Sequence, residues 1–154
     1  MVIGARGRHV NAAGARNIVA GYTLVNDVTA RDVQRKDMAS GNPWFRSKSA
    51  DTFCPLGPVV VMAEVFDWPV IVPLETRVNG VVRQRSDTGR FIFSIPEVIA
   101  AITRFITLEP GDLVAMGTPE GVGPLNDGDL VEVSNPQIGV LRNPVSVRQL
   151  TGYA

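Results

Sequence analysis

Apolar positions along the chain follow two different periods. Residues 22–25, Tyr-Thr-Leu-Val, alternate as a strand does, whereas Ile95, Val98, Ile99, Ile102 and Ile106 recur at helical spacing. "SIPEVIAAITRFITLEPGD" holds the clearest helix. Ser94 stands at its N-cap, Glu97 completes a capping box, Pro96 falls where a first-turn amide has no helical acceptor, and Pro110-Gly111 ends the segment. The apolar stripe predicts a face turned to the core, with Glu97 and Arg104 outward. "TRVNGVVRQ" predicts a hairpin that turns at Asn79-Gly80, between Val78 and Val81-Val82, because asparagine and glycine accept the positive φ that a tight hairpin turn demands.

Shorter patterns predict the rest. "MVIGARGRHV" reads either as an ordinary frayed terminus or as an edge strand beginning at the first residue, followed by a basic turn. Residues 12–20 read as a short helix that Gly21 stops, residues 22–25 as the strand after it, and Asn26-Asp27 as that strand's polar end. Thr29 caps the next turn, with Asp32 as a weak capping-box counterpart. Residues 38–58 hold too many turn formers for a regular element and read as a loop anchored by Trp44, Phe45 and Phe53. "VVVM" after Pro58 reads as a buried strand, although four apolar residues also fit the edge of a helix, and "GRFIFSI", "DLVAMGTP", "GDLVEVS" and "GVLRNPVSVRQL" predict further strands. Several short strands around one good helix indicate a mainly β or α+β fold, organised as one domain over residues 1–154.

Composition narrows the function. The hydrophobic fraction of 45% suits a globular core, and no apolar run is long enough to span a bilayer, so a soluble chain without a membrane partner is expected. Fifteen basic residues balance fifteen acidic ones, and no basic stripe interleaves with aromatics, which argues against nucleic acid. One cysteine and no secretory signal point to the cytoplasm. Cys54, between Phe53 and Pro55, reads as a small buried hydrophobe, since no histidine base stands beside it. His9 is the sole histidine and reads as a surface residue, leaving no zinc cluster and no Ser/His/Asp set.

The candidate chemistry lies in oxygen donors and cations. Asp27 and Asp32, with Asp51 and Glu64 further on, are of the type that a hard cation such as magnesium, manganese or calcium requires, although Asp27 also fits an ordinary polar turn. Lys48, in "RSKSADT", can neutralise a substrate carboxylate or a developing enolate, with Thr52 as a neutral donor, or it can be a solvated loop lysine. Arg31 can clamp a carboxylate or pair with Asp32 or Asp51. In "MGTPEGVG", Gly117, Gly121 and Gly123 allow close backbone approach, and free amides with the Thr118 hydroxyl can accept a small anion. The segment matches neither the Walker loop nor the dinucleotide fingerprint, so ATP and NAD are not expected.

Taken in order, "GYTLVNDVTARDVQ", "KSADTFCPLGPVVV", "VNGVVRQ", "FSIPEVIAAIT", "LEPGDLVAMGTPEGVG" and "DLVEVS" resemble the C-terminal catalytic domain of the fumarylacetoacetate hydrolase family, over about residues 1–147. The resemblance implies a mixed, rolled β-sheet or β-sandwich with short helices, commonly a homodimer. It implies a divalent metal, Mg2+ or alternatively Mn2+ or Ca2+. The implied substrates are acylpyruvates or other small 2-oxo or 2-hydroxy carboxylic acids, including dienoic acids, with hydrolysis, decarboxylation, hydration or isomerisation as the chemistry. Carried over residue by residue, Asp27 is a metal ligand, Lys48 is the catalytic lysine near metal and substrate, and Thr118 holds the substrate carboxylate. Arg31 and Gln34 fall in the substrate-side motif.

The family also carries a Glu-x-Glu pair before the position of Val2-Ile3-Gly4 and, further upstream, a His-Glu acid–base pair. Neither is present from Met1 onward, and His9 does not match that histidine. The resemblance therefore implies an N-terminally truncated domain, whose missing carboxylates would come from an upstream segment or polypeptide. The alternative is a catalytically inactive remnant with a structural or small-carboxylate-binding role.

Overall fold

The computed structural model describes residues 1–147, so the end of the last expected strand lies outside the described residues. Two antiparallel sheets carry the fold. One has the order β1 (Val2–Ile3), β2 (Val19–Val25), β3 (Leu56–Met62). In the other, β5 (Val81–Asp87) and β4 (Pro73–Val78) pair, and β4 continues to β6 (Leu130–Asn135) and β7 (Gly139–Pro144). With the short helices α1 (Arg31–Ala39) and α2 (Ile95–Thr103), this is the mainly β, α+β fold that the pattern indicates. Ile3, Tyr22, Leu24, Phe66, Ile99, Val133 and Leu141 meet in the core, where Tyr22 and Phe66 pack edge to face at 5.1 Å.

The hairpin forms as expected. Asn79 has φ 50° and Gly80 φ 78°, and the asparagine side chain ties the tip to the next strand by accepting from Leu130 N at 2.9 Å and donating to Asp129 at 2.8 Å. The capping box of α2 also forms: Ser94 Oγ accepts from Glu97 N at 3.4 Å, and Glu97 accepts from Ser94 N at 2.7 Å. The Ser94 hydroxyl, which also donates to Glu97 Oε2 at 2.7 Å, and then the Ser94 N–H hold the Glu97 carboxyl below its ordinary pKa. Thr103 closes the helix by donating to Ile99 O at 2.8 Å while accepting from Val10 N at 3.0 Å.

Several expectations need correction. Residues 12–18 form a 3-10 helix, β2 already begins at Val19, and Gly21 lies inside it. A Cβ there would sit 2.3 Å from Val61 O, so this glycine serves the close approach of β2 and β3 and is not a helix stop. Ala30, not Thr29, stands at the N-cap of α1, which makes no side-chain capping bond, and Asp32 pairs with Arg35. "GRFIFSI" is no strand, because Thr88 donates to Val70 O at 2.7 Å and accepts from Val72 N at 2.9 Å, drawing the chain into a 3-10 turn. Ile92 is left 92% exposed.

The apolar stripe ends at Ile102, since α2 stops at Thr103 and Ile106 is exposed. "DLVAMGTP" contributes one bridge, Val2 to Leu113, in place of a strand. β3 includes "VVVM" but exposes Val59, Val60 and Met62, because it forms the edge of its sheet. Residues 38–58 contain the end of α1, a 3-10 helix at Phe45–Lys48 and the start of β3; Trp44 and Phe45 are exposed there, as is Cys54.

Candidate functional site

β2 leaves its sheet at Val25, and Asn26 N donates to Pro55 O at 3.1 Å, which places Asp27 just beyond the strand end. α1 follows at once. Ala30 N donates to Ser47 O at 2.8 Å, and Arg46 grips Asp37 with two bonds, Nε to Oδ2 at 2.7 Å and Nη2 to Oδ1 at 2.5 Å. Asp37 is 2% exposed, and the guanidinium hydrogen bonds hold its carboxyl below the ordinary aspartate range. This clamp fixes the 3-10 helix Phe45–Lys48 against α1 and thereby sets where Lys48 begins.

Lys48 turns back to Asp27. Its Nζ donates to Asp27 Oδ2 and, at 3.0 Å, to Thr29 Oγ1. The Thr29 hydroxyl gives its own proton to Asp27 O at 3.1 Å, so its lone pair is turned toward the ammonium. The Trp44 ring lies 6.0 Å from Nζ, at the outer reach of a cation–π contact. An ammonium has three protons; among the described residues two have partners, and the third is available to an incoming oxygen.

Of the other candidates, Arg31 pairs neither with Asp32 nor with Asp51. It donates to Gln34 Oε1 at 2.9 Å, leaving the Gln34 amide N–H groups and most of the guanidinium for a ligand. Thr118 belongs to a separate group: Gln84 Nε2 donates to its Oγ1 at 2.9 Å and to Pro119 O at 2.8 Å. No side-chain bond among the described residues joins Thr118, Asp51, Thr52 or Glu64 to the Asp27–Lys48 pair. Thr29, Asp37, Arg46 and Gln84 were not foreseen in these roles, since each takes its meaning from a partner that only the fold brings near. Concavities of about 290 and 240 Å3 lie along residues 66–72 and the start of α2, away from all of these residues. At the larger one, Ser94 and Glu97 satisfy each other in the capping box, which leaves little polar chemistry for a ligand.

Whether these side chains suit a divalent ion can be judged from their donors. Asp27 Oδ2 faces Lys48, and Oδ1 is without a bond among the described residues. No group of three His, Cys, Asp or Glu side chains gathers there or elsewhere among the described residues. Magnesium and manganese take about six oxygen ligands. One carboxylate oxygen therefore fits a single corner of such a shell, and the described residues alone do not fit a complete one.

The model of the fumarylacetoacetate (FAA) hydrolase C-terminal family matches residues 1–146. The oxaloacetate tautomerase YisK of Bacillus subtilis is 41% identical over 152 residues, covering 94% of this chain and 49% of that protein. The crystal structure of 5-carboxymethyl-2-hydroxymuconate delta-isomerase from Mycobacterium smegmatis superposes with a TM-score of 0.88 at 47% identity, covering 96% of this chain and 56% of the other. Fumarylpyruvate hydrolase from Pseudomonas aeruginosa, solved with Mn2+ and pyruvate, superposes with a TM-score of 0.90 at 35% identity, covering 96% and 63%. The chain spans about half to two thirds of the length of the curated relatives it matches.

Proposed function

Because the chain belongs to the fumarylacetoacetate hydrolase family, we propose that it supplies the substrate-side half of a site for small 2-oxo and 2-hydroxy carboxylic acids, acylpyruvates foremost. Carbon–carbon hydrolysis, decarboxylation and keto–enol isomerisation of such acids share one demand, the stabilisation of charge on the C2 oxygen as an enolate. The observation that carries the reading is the Lys48 ammonium, held by Asp27 and Thr29 with one N–H uncommitted among the described residues. That N–H meets the C2 oxygen. Arg31 and Gln34 receive the far end of the acid, and Thr118 orients its carboxylate. A name on a solved relative, fumarylpyruvate hydrolase with Mn2+ and pyruvate, supports this substrate class.

A divalent ion, when bound, supplies Lewis-acid polarisation of the oxygens of such an acid. Asp27 gives it one ligand in this proposal, and the remaining carboxylates come from outside residues 1–147, from a preceding segment or a second polypeptide. The proposal includes a homodimer, supported by the exposed apolar edge at Val59, Val60 and Met62.

Pyruvate titration by calorimetry in Mg2+ tests the role of Lys48. We expect Lys48→Met to weaken binding about tenfold or more, as loss of a charged hydrogen bond does, and Lys48→Arg to recover part of it. Equal affinity in wild type and Lys48→Met would remove the basis of the proposal.

A further inference from the structure

We infer that Gln84 is a positioning residue that aims the Thr118 hydroxyl proton outward, at the carboxylate of a bound acid; the inference rests on the reading of Thr118 given above. Gln84 projects from β5, the outer strand of its sheet, and its side-chain nitrogen lies 2.8 Å from Pro119 O and 2.9 Å from Thr118 Oγ1. A main-chain carbonyl can only accept, which fixes the amide's orientation: the atom facing Pro119 O is the N–H2. That nitrogen has no lone pair to offer, so Thr118 Oγ1 must accept from it as well. The hydroxyl keeps its single proton, and with one lone pair engaged by Gln84 the proton turns away from β5. Thr118 is exposed, so the proton is presented where a ligand can reach it.

The loop around Thr118 is held to match. Gly121, at φ 97°, passes so near β5 that a Cβ would lie 2.0 Å from Arg83 O, an approach no other residue type tolerates. Residues 118–121 are thus pinned to the edge of β5 at two points, by the Gln84 amide and by the Gly121 contact. The "VNGVVRQ" and "MGTPEGVG" segments, far apart in sequence, form one device: the first supplies the amide that orients the second.

Pyruvate affinity, measured by calorimetry in Mg2+ across a double-mutant cycle, separates aiming from mere anchoring of the loop. Thr118→Val, which keeps the shape and removes the proton, is expected to weaken pyruvate about tenfold. Gln84→Leu is expected to weaken it several-fold in the wild type and to have no further effect in the Thr118→Val background. Gln84→Glu, whose carboxylate takes the Thr118 proton, is expected to weaken it at least as much as Gln84→Leu and serves if the leucine variant does not fold. Equal loss from Gln84→Leu in both backgrounds, or unchanged affinity in either Gln84 variant, overturns the positioning role while leaving the reading of Thr118 intact. Unchanged affinity in Thr118→Val overturns both.

Discussion

Lys48 owes its direction to residues on two sides. Asp27 and Thr29 accept two of its protons, and Asp37 with Arg46 fixes the turn from which it springs. The Asp37–Arg46 clamp is open to a direct test. Asp37 is almost fully buried and its carboxyl is held low by Arg46, so the pair's stabilisation is complete above the ordinary aspartate pKa and is lost as pH falls through the lowered one. Arg46→Met leaves a buried carboxylate without its partner. Thermal denaturation at neutral pH is expected to show a clearly lower Tm for the variant, and the gap should narrow as acid protonates Asp37; a gap that is constant with pH would contradict the role given to the pair. At this scale the sequence marks Asp27, Lys48, Arg31, Gln34 and Thr118 as residue types suited to the chemistry. It conceals Thr29 and Arg46, because a threonine two residues after an aspartate reads as a cap, and an arginine nine residues from an aspartate has no local reason to meet it.

Elements whose signals are local are the ones legible beforehand. The capping box of α2 and the Asn79-Gly80 turn depend on residues within four positions of each other, and both form. Ser94→Ala is expected to cost about 1 kcal/mol in urea denaturation, the usual loss for a serine cap, whereas Ile99→Ala, which empties a fully buried site, should cost about 2–5 kcal/mol. Equal effects from the two would mean that α2 is not seated by that face. Elements decided by distant partners were misread. Gly21 looks like a stop signal until Val61 is brought against it, and the apolar alternation of "GRFIFSI" yields to the Thr88 bonds with Val70 and Val72. The Val59–Val60 run was read as buried because apolarity does not distinguish the middle of a sheet from its edge.

On the scale of the whole molecule, the first strand is part of the core. Met1 N donates to Val114 O at 2.9 Å, and Val114 N donates to Met1 O at 3.0 Å. The fold class was legible at this scale from several short strands around one good helix, although two of the expected strands did not form, and the family from six motifs in sequence order. The ligand set was legible only in part: Asp27 is the one carboxylate the proposal gives to a cation, and no group of three His, Cys, Asp or Glu side chains gathers among the described residues.

That half-site is the centre of the account, and Mn2+ calorimetry on the wild type and Asp27→Ala, each with and without saturating pyruvate, tests it most directly. Pyruvate contributes oxygens of its own, so the wild type should bind Mn2+ saturably in its presence and at least about tenfold more weakly without it, and Asp27→Ala should lose the pyruvate-dependent binding. Mn2+ binding that is absent from the wild type with pyruvate, or identical in Asp27→Ala, would contradict the assignment of Asp27 and Lys48 to a shared metal and substrate site.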